Sequence, residues 1–294
     1  MRSTRILSAV ALFSLGVCGA ACGSKDGDTD SDTNTGEDGT GGDGSTGGDT
    51  GGSTGGDTGD GTGSTDELAR FSFFVTSLEA MRELSGSQNG FGGDLRFGEA
   101  TGLEGADKIC RTIAEKALPG AGQKVWRAFL SAAKASPTGG PVNAIDRIGE
   151  GPWYDRNGRL VAQNKAGLSS ARPSGDAQIK NDLPNERGEP NHQGVDNHDV
   201  LTGSNKQGQF SGSGMGSTCN DWTSSVGSTG KPYCGHSWPR SATNPTNGGQ
   251  WLSDHQVPGC APGVNLSQTG PGDGTASVGG GGGYGGIYCF AINP

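Results

Sequence analysis

The N-terminal part of this chain cannot contribute to a folded core, because residues Gly23 to Thr65 form a low-complexity segment. It consists almost entirely of Gly, Ser, Thr and Asp, and it contains no aromatic residue, no aliphatic residue and no cysteine. Such a segment has nothing to bury that would offset chain entropy, so we predict a flexible, hydrated tether over residues 22–65. A calcium-binding solenoid built from Gly-Gly-x-Gly-x-Asp repeats also needs a recurring apolar position, and this segment has none. A folded domain is therefore expected only over residues 66–294.

The residues before this tether are typical of an export signal. Arg2 and Arg5 frame the start of an apolar run of 12 residues, Ile6 to Val17. That run is shorter than the about 20 residues that span a bilayer, and it has the length of a signal-peptide core. We therefore predict a signal peptide over residues 1–21.

A lipid anchor is predicted directly after the signal peptide. Cys22, preceded by Ala20 and Ala21, is the expected acylation site of a bacterial lipoprotein, although Gly19 stands where such signals usually have leucine. A plain secretory cleavage before Cys22 is the alternative. Gly23 follows the anchor, whereas an aspartate there retains Gram-negative lipoproteins at the inner membrane. We expect an exported protein, anchored in the outer membrane and facing the cell exterior or the periplasm.

The formal charge of −9 belongs to the tether and not to the domain. The tether carries ten acidic residues and one lysine, so residues 66–294 are almost neutral. Domains that bind nucleic acid present a basic surface. We therefore expect no nucleic-acid partner.

Hydrophobic periodicity places one long helix and several strands in the domain. Leu103–Ala117 repeats apolar residues at three- and four-residue steps, as an amphipathic helix does, and Pro119-Gly120 ends it. Pro152–Ala162 indicates a hairpin with its tight turn at Asn157-Gly158. Further strands are predicted at Arg70–Ser77, Lys124–Ser131 and Gly285–Ile292. Between Ala166 and Gly283 the sequence favours loops.

Five cysteines remain after Cys22, and in an exported protein disulfides are the usual role for them. They are Cys110, Cys219, Cys234, Cys260 and Cys289. A bridge between Cys110 and Cys289 would tie the two ends of the domain together. Cys219 with Cys260 would then close the loop-rich region and leave Cys234 unpaired or joined to another chain. Cys234 with Cys260 is the competing second bridge.

A cysteine of the first helix bridged to the last strand, with a second bridge among long loops, is the plan of the C-type-lectin-like fold. Local stretches resemble a family of bacterial surface lipoproteins that carry such an endostatin-like domain. They are "FFVTS" (73–77), "GLEGADKIC" (102–110), "VWRAFLS" (125–131), "IDRIGEGPWYDRNGRLVA" (145–162), "CNDWTS" (219–224), "GHSWPR" (235–240) and "GGYGGIYCFA" (282–291). The resemblance implies an α+β, C-type-lectin-like (endostatin-like) fold with disulfide-stapled loops, and a cell-surface setting. It implies no activity.

The tripeptide Glu189-Pro190-Asn191 suggests calcium as a cofactor. In C-type lectins a Glu-Pro-Asn supplies two calcium ligands and contacts sugar hydroxyls, and calcium takes six to eight oxygens. Asn220 and Asp221 are the candidates for the remaining protein ligands. Lectins place a tryptophan before that second pair, whereas here Trp222 follows it. The alternative is a polar loop at 189–191 and a turn before a buried tryptophan.

Histidines offer a second candidate metal site. Four residues of one stretch carry suitable donors: His192, Asp196, His198 and Asp199. A zinc site needs three or four ligands in fixed geometry, and the sequence predicts no regular element here. We therefore expect histidines that anchor a loop.

Catalysis by a thiol is a weaker hypothesis. Cys234 and His236 are close in sequence, but an activated thiolate also needs an orienting partner and electropositive surroundings. An inert or disulfide-bonded cysteine is therefore favoured.

Three tryptophans lie in the loop-rich region, and an aromatic there is either a sugar-stacking platform or part of the core. They are Trp222, Trp238 and Trp251. The core interpretation is favoured because the domain is poor in aliphatic residues.

Together these features predict a non-enzymatic, surface-anchored module that binds an extracellular glycan or protein. One alternative is an enzyme on a lectin-like scaffold that uses Cys234 as a reactive cysteine. Another is a structural lipoprotein of the envelope.

Overall fold

The computed structural model of the chain describes residues 64–239, 249–267 and 274–292. The predicted signal peptide, the predicted acylation site Cys22 and nearly all of the predicted tether lie outside the described residues. Within the described ranges, no helix is both long enough and apolar enough to cross a membrane. The chain mixes helices with two sheets, in agreement with the predicted α+β class.

The regular elements are short apart from one helix and one strand. The helices are α1 (Thr65–Arg70), α2 (Leu78–Ser85), α3 (Gly102–Ala117) and α4 (Lys165–Leu168). Single 3-10 turns occur at Ala121–Gln123, Ala144–Asp146, Met215–Thr218 and Gly227–Thr229. The strands are β1 (Phe73–Val75), β2 (Trp126–Ala128), β3 (Trp153–Tyr154), β4 (Leu160–Ala162), β5 (Asp199–Leu201), β6 (Tyr233–His236), β7 (His255–Gln256) and β8 (Gly283–Ala291).

Helix α3 is the predicted amphipathic helix, and it begins one residue earlier than predicted. Thr101 caps its first turn: the Thr101 hydroxyl accepts a hydrogen bond from the N–H of Glu104, whose carboxylate accepts one from the N–H of Thr101. This capping box satisfies two backbone donors that the helix leaves unpaired. The buried face, with Ile109 and Ile113, packs against β2 and β8.

Helix α2 was not predicted from the sequence. Ser77 caps its N-terminus and Gly86, with φ of 66°, ends it in the left-handed conformation that glycine allows. Its apolar residues Leu78, Met81 and Leu84 face the core, although only Met81 of this helix is fully buried. The helix has only eight residues, which is too short a stretch for periodicity to indicate a helix.

Strand β8 is the centre of the main sheet. The sheet order is β1-β8-β5-β6-β7, with β2 also paired to β8. All nine residues of β8 are buried, and alternate side chains serve two cores. Ile287 and Cys289 join the cluster around α3, whereas Tyr288 and Phe290 join a second cluster. Burial on both faces explains the continuous apolar run that predicted this strand.

The predicted hairpin is confirmed as β3 paired with β4. Its turn runs from Asp155 to Arg159, and Gly158 has a φ of 73°. The Asp155 carboxylate stabilises the turn by accepting hydrogen bonds from the backbone N–H groups of Asn157 and Arg159. Glycine is needed at 158 because other residues adopt this φ only at a cost.

Both predicted disulfides are confirmed. Cys110 of α3 is bonded to Cys289 of β8 across a separation of 179 residues, and Cys219 is bonded to Cys260. Cys234 is a buried free cysteine, so the competing Cys234–Cys260 bridge is wrong. Bridges that close such long loops restrict the unfolded chain most.

Two of the three tryptophans proposed as ligand platforms are fully buried, which corrects that proposal. A sugar cannot reach the rings of Trp222 and Trp251, and Trp238 is only 9% exposed. Each indole N–H donates within the protein: Trp222 to the carbonyl of Ser131, Trp251 to that of Leu168 and Trp238 to the Asn197 side chain. The core interpretation accounts for Trp222 and Trp251.

Candidate metal centre

Three neighbouring strands place four donor side chains on one face of the main sheet. Side chains two residues apart in a strand point the same way, so Cys234 and His236 of β6 share a face. Asp199 of β5 lies opposite His236, and His255 of β7 lies opposite Cys234. Directly opposed residues also share a face. The sheet therefore gathers Cys234, His236, Asp199 and His255.

A fifth donor is His198, the residue immediately before β5. The N–H of Ser237 donates to its carbonyl and fixes this part of the backbone. Nδ1 of its ring lies 2.5 Å from Oδ1 of Asp196, and Nε2 lies 3.2 Å from Oδ1 of Asp199. Asp196 thus orients the ring so that Nε2 faces the same centre as the sheet residues.

The three imidazoles converge on a single carboxylate oxygen. Oδ1 of Asp199 lies 3.2 Å from Nε2 of His198, 3.5 Å from Nε2 of His236 and 3.1 Å from Nε2 of His255. Ligands of a tetrahedral zinc ion, at bond lengths of 2.0–2.1 Å, are separated by about 3.3 Å. One donor atom from each of the four residues lies within 4.8 Å of the others. The two donor atoms that lie farthest apart would have to move closer to each other to bind the same ion.

The burial of this group makes an ion the simplest way to satisfy it. His198, Asp199 and His236 are at most 2% exposed. Nε2 of His198 and both carboxylate oxygens of Asp199 make no well-aligned hydrogen bond with any described residue. A buried carboxylate is costly unless cationic partners offset its lost hydration. The side chain of His255 is 37% exposed and forms the solvent side of the group.

The charge of the Asp199 carboxylate favours the binding of a cation in the cluster. Burial alone would raise the pKa of Asp199, but the His255 imidazole and the charges of all three histidines hold it below its usual value. Burial lowers the pKa of His255, but the Asp199 carboxylate outweighs this effect and raises it to about 9. Asp199 is therefore ionised and attracts cations to the imidazoles.

A glycine makes room for the carboxylate. A Cβ at Gly281 would lie 2.2 Å from Oδ2 of Asp199 and 3.2 Å from Cε1 of His255. The β5–β8 pairing also shifts register between Asp199 and Val200, and such irregularities re-aim side chains at functional sites. The backbone before β8 thus lies directly against the candidate ligands.

The proposed ligand His236 has two further contacts. Oδ2 of Asp254 lies 3.4 Å from its Nε2, the nitrogen that would bind the ion, so Asp254 borders the centre itself. The buried guanidinium of Arg172 donates to the carbonyls of His236 and Ser237 at the end of β6. Partners of this kind orient metal ligands in known metalloproteins.

Cys234 is adjacent to the cluster but chemically different from a catalytic thiol. Its Sγ lies 3.5 Å from Nδ1 and 3.8 Å from Nε2 of His255. Burial, together with the Asp199 carboxylate, raises the pKa of Cys234 well above its usual value. A buried, protonated thiol opposes nucleophilic catalysis, which requires the thiolate.

The structure gives the Glu-Pro-Asn loop a structural role. Asn191 is buried: its Oδ1 accepts from the Tyr284 hydroxyl, and its Nδ2 donates to Oγ of Ser237. The half-exposed carboxylate of Glu189 accepts from Arg187 and from other side chains of the same loop. These two residues thus help to support the loop that lies beside β6.

The second predicted calcium pair lies on an unusual turn. Cys219–Trp222 has four consecutive positive φ angles, between 49° and 63°, a left-handed conformation that is rare without glycine. The Asp221 carboxylate accepts from the backbone N–H groups of Ala133 and Lys134, and the Asn220 amide donates to the Thr223 hydroxyl. Among the described residues, no side-chain contact joins this pair to Glu189 or Asn191.

The sequence identified only part of the convergent group. His198 and Asp199 were named with Asp196 as potential ligands, but His236 was considered only as a partner of Cys234, and His255 was missed. The usable signal was the Cys-x-His spacing at 234–236, which in a strand directs both side chains to one face. His192 is outside the group: its ring contacts that of Trp238, with the centroids 3.9 Å apart.

No protein-family model matches this chain, and a search of curated proteins finds no significant match. The interpretation of the site therefore depends on its geometry and chemistry. Three imidazole nitrogens and one carboxylate oxygen form a donor set that suits Zn²⁺ and related transition-metal ions.

Proposed function

We propose that this protein is a zinc-binding module, with the ion held by His198, Asp199, His236 and His255. The observation that carries this proposal is the convergence of three Nε2 atoms on Oδ1 of Asp199, at 3.1–3.5 Å, in a buried site. Imidazole and carboxylate are common zinc ligands, and four protein ligands are typical of structural sites.

The proposed role of the ion is to hold the loop-rich region together. The ligands come from β5, β6, β7 and the residue before β5, and these strands have between two and four residues each. Strands this short bury little apolar surface by themselves. An ion bound to all four ligands would cross-link these strands in a region whose described residues form no long helix or strand to stabilise it. The free energy of ion binding would add to the free energy of folding.

The exported setting and the lectin-like fold are part of the same proposal. The helix-to-last-strand bridge Cys110–Cys289 and the second bridge Cys219–Cys260 support a C-type-lectin-like domain. The apolar run and Cys22 support a lipoprotein with a flexible tether. On this view the zinc-stabilised domain presents a surface that binds an extracellular glycan or protein.

One cleft gives specific support to ligand binding. It has a volume of about 480 Å³ and is bordered by amide and charged side chains. They are Gln88, Asn185, Asn191, Gln193 and Asn197, with Glu79, Arg82 and Arg187, and Leu78, Val195 and Leu266 form an apolar part. The exposed amides of Gln88 and Gln193 suit hydroxyl-bearing ligands such as glycans, because an amide both donates and accepts hydrogen bonds.

Calcium at Glu189 and Asn191 is a separate proposal with a separate test. Calorimetry of the full-length protein should show calcium-dependent heat that Glu189→Gln abolishes. If no such heat is observed, calcium is not a cofactor, and the zinc proposal is unaffected.

Zinc binding can be tested by competition between the full-length protein and a chromophoric chelator. We expect one zinc ion per chain, and His255→Gln should weaken binding strongly. His255 is the most exposed ligand, so its replacement disturbs the core least. His192→Gln is the matched control, because His192 lies outside the group, and it should bind zinc like the wild type.

Two results would contradict the zinc proposal. The first is that the wild-type chain fails to take zinc from the chelator. The second is that His192→Gln and His255→Gln weaken binding equally, which would place the ion elsewhere.

A further inference from the structure

Cys234 is the feature of the site that the four-ligand arrangement leaves unused. It is fully buried, and it belongs to neither disulfide. It nevertheless lies on the same sheet face as three of the four proposed ligands, two residues before His236 and directly opposite His255. A thiol in this position adds a soft donor to a set of nitrogen and oxygen donors.

The position of the sulfur suits coordination together with His255. Sγ of Cys234 lies 3.8 Å from Nε2 of His255. In a tetrahedral site with metal–sulfur bonds of about 2.3 Å and metal–nitrogen bonds of about 2.0 Å, sulfur and nitrogen are about 3.5 Å apart. A small movement of either side chain therefore allows both atoms to bind one ion.

Two observations indicate that an ion fits at this place. Nε2 of His198 and the carboxylate of Asp199 are buried and face the cluster without a well-aligned hydrogen bond to the described part of the chain. A Cβ at Gly281 would strike the same carboxylate. The backbone thus leaves space for the Asp199 carboxylate beside the histidines, and the thiol lies next to it.

We propose that the site also binds soft, thiophilic ions such as Cd²⁺ and Cu⁺, with Sγ of Cys234 replacing the Asp199 carboxylate. Soft ions prefer thiolate to carboxylate oxygen, whereas Zn²⁺ accepts either donor. The metal–sulfur bond forms as the S–H bond breaks, and the proton leaves to water. This inference rests on the proposed zinc site, because the three histidines are common to both arrangements.

The decisive experiment compares Cd²⁺ and Zn²⁺ binding by the full-length wild type and by Cys234→Ser. Cd²⁺ bound to a thiolate produces an ultraviolet charge-transfer band, and we expect one equivalent of this band in the wild type only. Any band from Cys18 or Cys22 would persist in both proteins and cancel in the difference. Cys234→Ser should lower Cd²⁺ affinity at least about 10-fold and change Zn²⁺ affinity by less than about 3-fold.

The outcomes separate this inference from the zinc proposal. If the wild type binds both ions and shows no thiolate band from Cys234, the inference is overturned while the zinc proposal stands. Equal losses of Cd²⁺ and Zn²⁺ affinity in Cys234→Ser would also overturn it. If neither ion binds the wild type, both proposals fail. If Cys234→Ser folds poorly, the Cd²⁺ spectrum of the double variant Cys18→Ser, Cys22→Ser decides the question, because Cys234 is then the one cysteine of the sequence outside the two disulfides.

Discussion

The region around α3 and β8 and the region around β5, β6 and β7 belong to one sheet but are stabilised in different ways. Around α3 and β8, apolar side chains fill the core, and the Cys110–Cys289 bridge links helix to strand. Around β5, β6 and β7, buried histidines surround a buried aspartate. The first region needs only burial and a disulfide, whereas the second has polar groups that require a partner.

The two regions should therefore respond to different perturbations. Metal removal should loosen the β5–β7 region, because its donors lose the ion that they share. Loss of the disulfide should destabilise the whole fold without changing the metal ligands.

The largest effect is expected for Asp199→Asn. It removes the charged ligand, so zinc affinity should fall by more than the about 100-fold that outer-shell changes reach. In excess chelator the same variant should be less stable than the wild type, because it leaves the His255 imidazolium without its carboxylate partner. Zinc competition and chemical unfolding with chelator present measure the two effects. Wild-type zinc affinity in this variant would show that Asp199 is not a ligand.

Removal of the helix-to-strand bridge should give the opposite result. We expect the double variant Cys110→Ala, Cys289→Ala to lose about 2–5 kcal/mol in the free energy of unfolding, as native bridges do. Zinc affinity of the folded protein should stay within about threefold, because distant sites act independently. A large loss of zinc affinity would show that the two regions are coupled.

A smaller change to the site can be made at Gly281, beside the Asp199 carboxylate. Gly281→Ala should weaken zinc binding by about 10–100-fold, because the added Cβ would lie against Oδ2 of Asp199 and displace a ligand. Gly214→Ala is the matched control: its Cβ would have no heavy atom within 4 Å. Equal affinities of the two variants would mean that the carboxylate position is unimportant for binding.

The smallest effect is expected for Asp196→Asn. Asp196 contacts Nδ1 of His198 and is not proposed as a ligand. Losing the carboxylate should therefore lower zinc affinity by about 10-fold, through weaker orientation and lower basicity of the ring. Chelator competition measures this change. An effect as large as that of Asp199→Asn would make Asp196 a ligand.

The sequence predicted the apolar region better than the polar one, for a physical reason. Helix α3 and strand β8 carry repeating apolar residues. The few cysteines also predicted both disulfides, although only the structure excludes the competing Cys234–Cys260 bridge. Strands β5 to β7 contain glycine, histidine and aspartate in place of an apolar alternation. Nothing local marked them as strands.

The site was hidden for a related reason. Charged residues are seldom buried, so Asp199 looked like part of a polar loop. His236 and His255 are 19 residues apart in sequence and meet only because β6 pairs with β7. Only the pairing of the strands reveals that these residues share one centre.

X-ray absorption at the zinc edge tests the central claim most directly. With one equivalent of zinc, the full-length protein should show four nitrogen or oxygen ligands at about 2.0–2.1 Å, with the outer-shell scattering of three imidazoles. A first shell with sulfur at about 2.3 Å, or six oxygen ligands without imidazole scattering, would contradict the assignment of His198, Asp199, His236 and His255 as the zinc ligands.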